Sequence, residues 1–392
     1  MKPFEVFASE SAVHTCRASG IKVRRLTNWK GHSIHPYFTE NGWYDNNTKM
    51  LLMSDRHNAR NIFSIEISSG EISRLTDFKP GEHVEIHSSL GINAKRNEIY
   101  YKLGTKLFAL SLDTLESRFI YAPPEGYKMG GVNPLACGNF IVAALGEDLS
   151  AKVYTNTSAG YVGMYETFQA KPDGRIIRIN LDTNEADELW REQCWVGHVN
   201  PSPTQPHLLT FCHEGPWHLV DHRIWLLDLN TGKAVKIRER KAQGELIGHE
   251  YWFEDGLHIG YQCHTPTGET PITWFGYVKH DGTGEVEVTE CKHPRNTPDH
   301  IHSLDDSIFC SDTGRSINIF KKKGDKYDGP RALCMHDSSF FWGGHHPHPR
   351  ITPDKKHVVY NSTNLGYCNV FMAELPENVD LLPKMTDEKI IS

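Results

Sequence analysis

The sequence predicts an all-β protein folded as a seven-bladed β-propeller, because a hairpin pattern recurs along the chain at about the spacing of propeller blades. Each copy has an alternating apolar strand, a turn rich in Asp, Asn, Ser or Gly, and a second strand. The 32 glycines and 21 prolines interrupt the chain too often for long helices. These observations favour a ring of four-stranded sheets.

Seven hairpins account for the seven predicted blades. Strong copies occupy residues 65–77, 110–122, 179–190 and 226–237, and weaker copies occupy 275–290, 317–333 and 370–382. A charged turn followed by an apolar strand precedes several of them, at 44–55, 93–103 and 352–362. The order of turn, buried strand and hairpin is typical of a four-stranded blade.

The hairpin scheme also assigns two irregular segments. Residues 19–27 resemble the outer part of a hairpin without inner strands, so we expect a strand at about 19–28 to pair with the last blade. Residues 1–392 would then form a single propeller domain. The longer interval between the second and third hairpins contains residues 146–174, which are rich in Gly, Ser and Tyr and predict an extended loop on the ligand-binding face.

The composition excludes several classes of partner. The chain has 42 Lys and Arg against 49 Asp and Glu, a net charge of −7, and no basic cluster, so we expect no nucleic-acid partner. No apolar run approaches the ~18–20 residues that span a bilayer, so we expect no membrane segment. The first residues carry no export signal, which favours a cytoplasmic protein.

The nine cysteines favour the same compartment. No two are spaced as Cys-x-x-Cys, and their number is odd. The sequence therefore predicts neither a disulfide framework nor a cysteine-based zinc site, and the thiols are expected to be small buried groups in a reducing cytoplasm.

The 23 histidines invite a search for metal ligands. His346 and His348 are two residues apart, so on a strand their imidazoles lie on the same side and could share a cation. The alternative is a histidine-rich surface turn. A third imidazole could come from His300 or from His302, which have the same spacing.

A second polar group lies in residues 212–229. His213, Glu214, Asp221 and Arg223 fall within eleven residues of each other. An Arg fixed beside imidazoles can bind a carboxylate through two hydrogen bonds, although Arg and Asp also pair in purely structural turns. His249 stands in a similar setting, just before a Trp-bearing strand.

Several segments resemble the oligogalacturonate lyases, which are seven-bladed propellers. The most specific are FCHEGPWHLVDHRIW, GHEYWFEDG, HIHSLDDS and HPHPRITPD, and the segments 35–56, 174–183 and 195–203 resemble the family as well. The likeness covers nearly the whole chain in the right order.

The resemblance implies an enzyme, a lyase that cleaves short α-1,4-linked galacturonate chains by metal-assisted β-elimination and leaves unsaturated uronides. It implies Mn²⁺, or another divalent cation, bound by His300, His346 and His348. His249 would be the Brønsted base, and Arg223 would stabilise the charge that develops on the substrate.

The partner implied is a small uronate oligosaccharide, and the chain itself could be a monomer or a homodimer. His198, His213 and His35 are candidates for contact with this substrate.

One position departs from the family. The family has a fourth ligand, a Gln, three residues before the first His of HPHP, where this sequence has Gly343. Glycine has no ligating side chain, so the fourth ligand would be water, His345 or His302, or the metal would be different or absent.

Two rival interpretations remain. A propeller lyase for another uronate-containing glycan, such as ulvan or a rhamnosyl-glucuronate, could use His35, His57, Tyr165 and Arg175. A non-catalytic binding scaffold would predict an aromatic or apolar face, whereas this sequence places Arg, Glu and His on its turns.

Overall fold

A computed structural model describes residues 3–82, 84, 90–157, 160–265, 272–289, 291, 299–340 and 345–385. Its strands pair antiparallel into seven separate sheets that follow one another along the chain. These sheets are the blades of a β-propeller, and the fold prediction is confirmed. Among the described helices, none combines the length and apolar character needed to cross a membrane.

Blades 1 to 4 are built from the first part of the chain. Blade 1 contains Glu5–Phe7, Ser33–Ile34, Trp43–Tyr44, Lys49–Ser54, Asn61–Glu66 and Ile72–Arg74. Blade 2 contains Gly91–Asn93, Glu98–Leu103, Lys106–Ser111 and Ser117–Tyr121. Blade 3 contains Tyr127–Pro134, Phe140–Glu147, Asp173–Asn180 and Ala186–Gln193. Blade 4 contains Val196–Pro201, Leu208–His213, Ile224–Asp228 and Lys233–Lys236.

Blades 5 to 7 complete the ring. Blade 5 contains Leu246–Trp252, His258–His264, Thr273–Lys279 and Val286–Val288. Blade 6 contains Ile301–His302, Ile308–Thr313, Ser316–Lys323 and Lys326–Met335. Blade 7 contains Arg350–Ile351, His357–Ser362 and Asn369–Glu374, with Lys22–Arg25 and Ala12–Thr15 on its outer side. The core lies between neighbouring blades, as shown by the cluster that joins Ile224, Phe275 and Phe309 of blades 4, 5 and 6.

The outer part of blade 7 comes from the N-terminal region of the chain. Lys22–Arg25 pairs antiparallel with Asn369–Glu374, with Val23 opposite Ala373. The prediction of a hairpin at 370–382 is therefore wrong. After Glu374 the chain ends its strand and forms a 3₁₀ turn at Val379–Leu381, because the edge that a second strand would occupy is already paired.

The insertion at 146–174 lies within blade 3, not between blades 2 and 3 as expected. It connects the strands Phe140–Glu147 and Asp173–Asn180 and contains the α-helix Met164–Ala170. A second 3₁₀ turn, Arg56–Asn58, lies in blade 1. The insertion brings Tyr161 and Met164 to the cavity described below.

The pairing of Lys22–Arg25 can be tested through Val23, which is buried in the core of blade 7. We expect Val23→Asp to lower the free energy of unfolding by about 3–5 kcal/mol, because it buries a charge without a partner. Val13→Asp is the matched control, since Val13 lies on the neighbouring strand but is 64% exposed. Equal loss of stability in the two variants, measured by urea unfolding, would contradict this account of the blade.

Candidate active site

The inner ends of the blades surround a cavity of about 570 Å³. Five imidazoles line it, and we call it the histidine cavity: His198, His249, His300, His346 and His348. They come from blades 4 and 5 and from the segments that precede the first strands of blades 6 and 7.

Backbone irregularities point two of these imidazoles inward. The first strand of blade 4 shifts register between Gly197 and Asn200, and the first strand of blade 5 shifts between Gly248 and Tyr251. His198 and His249 stand at these shifts with positive φ angles of 46° and 52°. A β-bulge inserts an extra residue into one strand and re-aims its side chain. Two neighbouring blades thus present a histidine in the same way.

Three imidazoles form a group able to hold a metal ion. The ligand atoms of His300, His346 and His348 all lie within 4.8 Å of one another. The ring centroids of His300 and His348 are 4.4 Å apart, and that of Tyr37 is 4.8 Å from His348.

Asp312 fixes the orientation of His300. The Asp312 carboxylate accepts a hydrogen bond from His300 Nδ1 at 2.9 Å and another from the His300 backbone N–H at 2.6 Å. Burial opposes the charged imidazole, but the carboxylates of Asp312 and Asp299 outweigh it and raise the pKa of His300. With Nδ1 held in this way, Nε2 is the nitrogen available to a cation. A carboxylate that orients an imidazole in this way is a common support for a metal ligand.

His249 is held as a neutral imidazole. Its Nδ1 donates to the backbone oxygen of Asp299 at 2.8 Å and also contacts the side-chain oxygen of Gln262. Burial and the neighbouring His300 lower the pKa of His249 well below its usual range. Because the proton sits on Nδ1, Nε2 carries the lone pair that can accept a proton.

Arg223 lines the cavity and is buried beside two carboxylates. Its guanidinium donates to Glu214 at 2.7 Å, and its Nε lies 3.9 Å from Glu250. The guanidinium also lies over the Trp217 ring, 5.2 Å from its centroid. Burial opposes ionisation of Glu214, but Arg223 and His198 outweigh it and hold its pKa below the usual range.

The charges of the cavity favour an added cation. Among the described lining residues, Arg223 is the only Lys or Arg, whereas Glu40, Glu214 and Asp299 carry carboxyl groups. Burial raises the pKa of Glu40 to about 8, so that group is neutral near pH 7. The two remaining carboxylates offset Arg223, so the further positive charge that an anionic ligand needs must come from a protonated His300 or from a cation in its place.

Two histidines expected to contact substrate lie elsewhere. His213 is buried beside Trp225, with ring centroids 4.8 Å apart, and does not line the histidine cavity. His35 lies behind the metal-binding segment, where its Nε2 approaches the Pro347 carbonyl at 3.4 Å. His35 therefore supports the segment between His346 and His348, while His198 is the member of the three that lines the cavity.

The alternative metal ligands, His302 and His345, lie apart from the group of His300, His346 and His348. His302 is buried at a neighbouring cavity of about 550 Å³, where its Nδ1 accepts from the Ile351 backbone N–H at 3.2 Å. His345 stacks on His32, with ring centroids 5.1 Å apart. Neither belongs to the group of His300, and Gly343 lies outside the described residues.

The residues of the rival interpretation are not assembled in the histidine cavity. His57 packs against Trp29 at the surface, with ring centroids 5.2 Å apart. Tyr165 is exposed on the helix of blade 3, and Arg175 is paired with Asp173 at 2.7 Å. With His35 behind Pro347, none of the four lines the cavity.

Several cavity residues escaped the sequence analysis. None of them was singled out from the sequence, and they reach the site from different elements: Tyr37, Trp217, Asp299 and the supporting Asp312. One sequence signal could have indicated the cavity: a Gly-His pair occurs at equivalent positions of blades 4 and 5, as Gly197-His198 and Gly248-His249. A Cβ at Gly248 would lie 2.6 Å from the Trp217 ring, so only glycine lets that ring pack beside His249.

Comparison with known proteins identifies relatives over nearly the whole chain. Residues 10–379 match the family model described as oligogalacturonate lyase. The oligogalacturonide lyase of Pectobacterium atrosepticum is 24% identical over 382 residues, which cover 92% of this chain and 95% of the relative. The oligogalacturonate lyase of Dickeya dadantii is 24% identical over 387 residues, which cover 93% and 97%. The family resemblance of the sequence is confirmed.

Two solved structures have the same fold. The oligogalacturonate lyase from Vibrio parahaemolyticus superposes with a TM-score of 0.83 at 23% identity, covering 96% of this chain and 99% of that one. An oligogalacturonate lyase in complex with manganese superposes with a TM-score of 0.84 at 22% identity, covering 97% and 100%.

The buried charges around Arg223 predict a pH-dependent defect. Arg223→Ala should lower the free energy of unfolding by about 3–5 kcal/mol near pH 7, because it leaves buried Glu214 and Glu250 without their cation. In the wild type, the stability contributed by ionised Glu214 is present above its ordinary pKa of 4.5 and is lost as the pH falls through its lowered pKa. The defect should therefore shrink below pH 4.5.

Denaturant unfolding at several pH values measures this defect. Arg178→Ala is the control, since Arg178 pairs with Asp187 at the surface and should contribute about 1 kcal/mol or less. A defect of the same size at every pH would contradict the electrostatic explanation.

Proposed function

Because this chain belongs to the oligogalacturonate lyase family, we propose that it cleaves short α-1,4-linked oligogalacturonides by β-elimination and releases unsaturated uronides. The observation that carries the proposal is the histidine cavity. It brings three grouped imidazoles, the neutral imidazole of His249 and the guanidinium of Arg223 around one space.

His300, His346 and His348 would hold a divalent cation, and manganese is the ion named for a solved relative. Their donor set fits this role, since the three ligand atoms are grouped and Asp312 orients His300. When bound, such a cation supplies the positive charge that neutralises a uronate carboxylate and acidifies the neighbouring carbon.

Arg223 would bind the carboxylate of the same sugar. The C5 proton of a uronate is weakly acidic, and negative charge moves onto the carboxylate as that proton leaves. A guanidinium held in place by Glu214 meets this charge without further reorganisation. The Trp217 ring under Arg223 limits access of water to its other face.

His249 would remove the C5 proton. Its Nδ1–H is held by the Asp299 carbonyl, so Nε2 accepts the proton and the imidazolium that forms keeps its hydrogen bond. The electron pair of the C5–H bond then forms the C4–C5 double bond as the bond to the 4-oxygen breaks. The leaving oxygen takes a proton from water.

The base can be tested directly. We expect His249→Ala to reduce the turnover of digalacturonate by about 100- to 10,000-fold, because a positioned general base is lost. The assay follows the ultraviolet absorbance of the unsaturated product. His14→Ala is the control, since His14 is exposed on the outer strand Ala12–Thr15. A His249→Ala variant with normal turnover would exclude His249 as the base.

The cation requirement is tested with a chelator and with Asp312→Asn. Chelation should abolish turnover, and added Mn²⁺ should restore it. Asp312→Asn should raise the Mn²⁺ concentration needed for half-maximal rate by about 10- to 100-fold, because His300 loses the carboxylate that orients it. At saturating Mn²⁺ the variant should approach the wild-type rate. Turnover that is indifferent to chelation would exclude the cation while leaving the elimination intact.

A further inference from the structure

A second group of possible ligands lies at the boundary between blades 3 and 4. Glu192 is the last residue but one of the outer strand of blade 3, Cys194 directly follows that strand, and His213 ends the second strand of blade 4. Their ligand atoms all lie within 4.8 Å of one another. None of the three lines the histidine cavity.

His213 presents a buried lone pair to this group. Its side chain is almost fully buried, and its Nδ1 lies 2.8 Å from the Asp221 carboxylate. As the Asp221 carboxylate can only accept, Nδ1 donates, and Nε2 is the nitrogen that can bind a cation. That Nε2 forms no hydrogen bond with any described residue and faces Glu192 Oε2 at 3.5 Å. A lone pair opposite a carboxylate oxygen requires a cation or a proton between them.

The imidazole is fixed in this orientation by its neighbours. Trp225 stacks on it with ring centroids 4.8 Å apart, and Trp190 lies 6.0 Å away. The Asp221 carboxylate is itself held, because Lys236 lies 3.6 Å from it. A carboxylate on Nδ1 with Nε2 turned to a shared point is the arrangement that supports metal-bound histidines.

Cys194 completes the group with a soft donor. Burial, together with the charges of Glu192 and Asp221, raises the pKa of its thiol to about 12. Such a thiol is protonated at neutral pH unless a cation takes its place, and a bound divalent cation removes the proton.

We propose that Cys194, His213 and Glu192 form a zinc-type cation site, with Asp221 orienting His213. Ligand atoms around a tetrahedral zinc ion are roughly 3.3–3.7 Å apart, and the 3.5 Å between His213 and Glu192 falls in that range. Cys194 directly follows the strand and half of the Glu192 side chain is exposed, so both can close on the ion. The fourth position is left to water.

The chemistry separates this site from the histidine cavity. A thiolate selects zinc over manganese, whereas the grouped imidazoles of the cavity contain no sulfur. The sequence predicted no cysteine-based zinc site, because it contains no Cys-x-x-Cys pair. A site with one cysteine, one histidine and one glutamate, drawn from two blades, leaves no such spacing to find.

A cation here would brace one wall of the histidine cavity. Trp195 and Glu214 line that cavity and directly follow Cys194 and His213 in the chain. The Glu214 backbone N–H donates to the Trp195 carbonyl at 2.7 Å, so the two segments already run side by side. A cation bound by both Cys194 and His213 would link these two segments, so zinc should raise the melting temperature of the protein.

Cobalt titration of the reduced, metal-free full chain tests the site. We expect one equivalent of Co²⁺ to produce a thiolate-to-cobalt charge-transfer band, and Zn²⁺ to displace it. The imidazoles of the histidine cavity cannot give this band. Cys194→Ser should abolish it, and Asp221→Asn should weaken Co²⁺ binding by about 10- to 100-fold.

Two variants keep the test decisive. Cys137→Ser is the matched control, since Cys137 is also half-buried but belongs to none of the described ligand groups. The Cys137→Ser variant should keep the charge-transfer band. Glu192→Gln alters a half-exposed side chain, so it should weaken Co²⁺ binding without loss of the circular dichroism of the fold. A wild-type chain without the band, or a band retained in Cys194→Ser, would overturn the site.

Discussion

The histidine cavity depends on a backbone conformation that most residues avoid. His198, His249 and His348 all have positive φ angles, between 46° and 52°. Each such residue costs of order 1–3 kcal/mol and persists only where its surroundings enforce it. In blades 4 and 5 the enforcing feature is a bulge in a strand paired on both sides of the irregularity. The sheets therefore sustain the strain that turns these imidazoles toward one space.

The polar groups of the cavity are held by partners that lie behind them. Asp312 holds His300, the Asp299 carbonyl holds His249, and Glu214 holds Arg223. Each contact uses one polar atom and leaves another directed at the cavity. A substrate therefore meets groups whose orientation has already been fixed during folding, and less binding energy is needed to align them.

The sequence predicted features that depend on local chemistry and failed where distant segments decide. Polar turns between alternating strands located six of the hairpins, because both signals lie within a few residues. The segment 370–382 ends differently because its strand is already paired with Lys22–Arg25, which no local pattern reveals. Lys22–Arg25 therefore replaces the expected second half of that hairpin.

The histidines show the same division. The spacing of His346 and His348 indicated a shared direction, but it could not choose between His300 and His302. In the structure the strand begins at Ile301, so His300 precedes it and is oriented by Asp312 instead of by strand alternation. Nothing in the sequence predicts the bulges at His198 and His249 except the repeated Gly-His pair. His213 follows Cys212 on one strand, and alternation sends their side chains to opposite faces.

The pairing of Val23 with Ala373 also sets an order of events during synthesis. The strand Lys22–Arg25 is synthesised long before its partner Asn369–Glu374. Until that partner has been made, Lys22–Arg25 can pair with Ala12–Thr15 on one side only, and the ring closes only when Glu374 has emerged. Until then the unpaired edge can bind another molecule instead, so chains that stop short of residue 369 are exposed to intermolecular strand pairing.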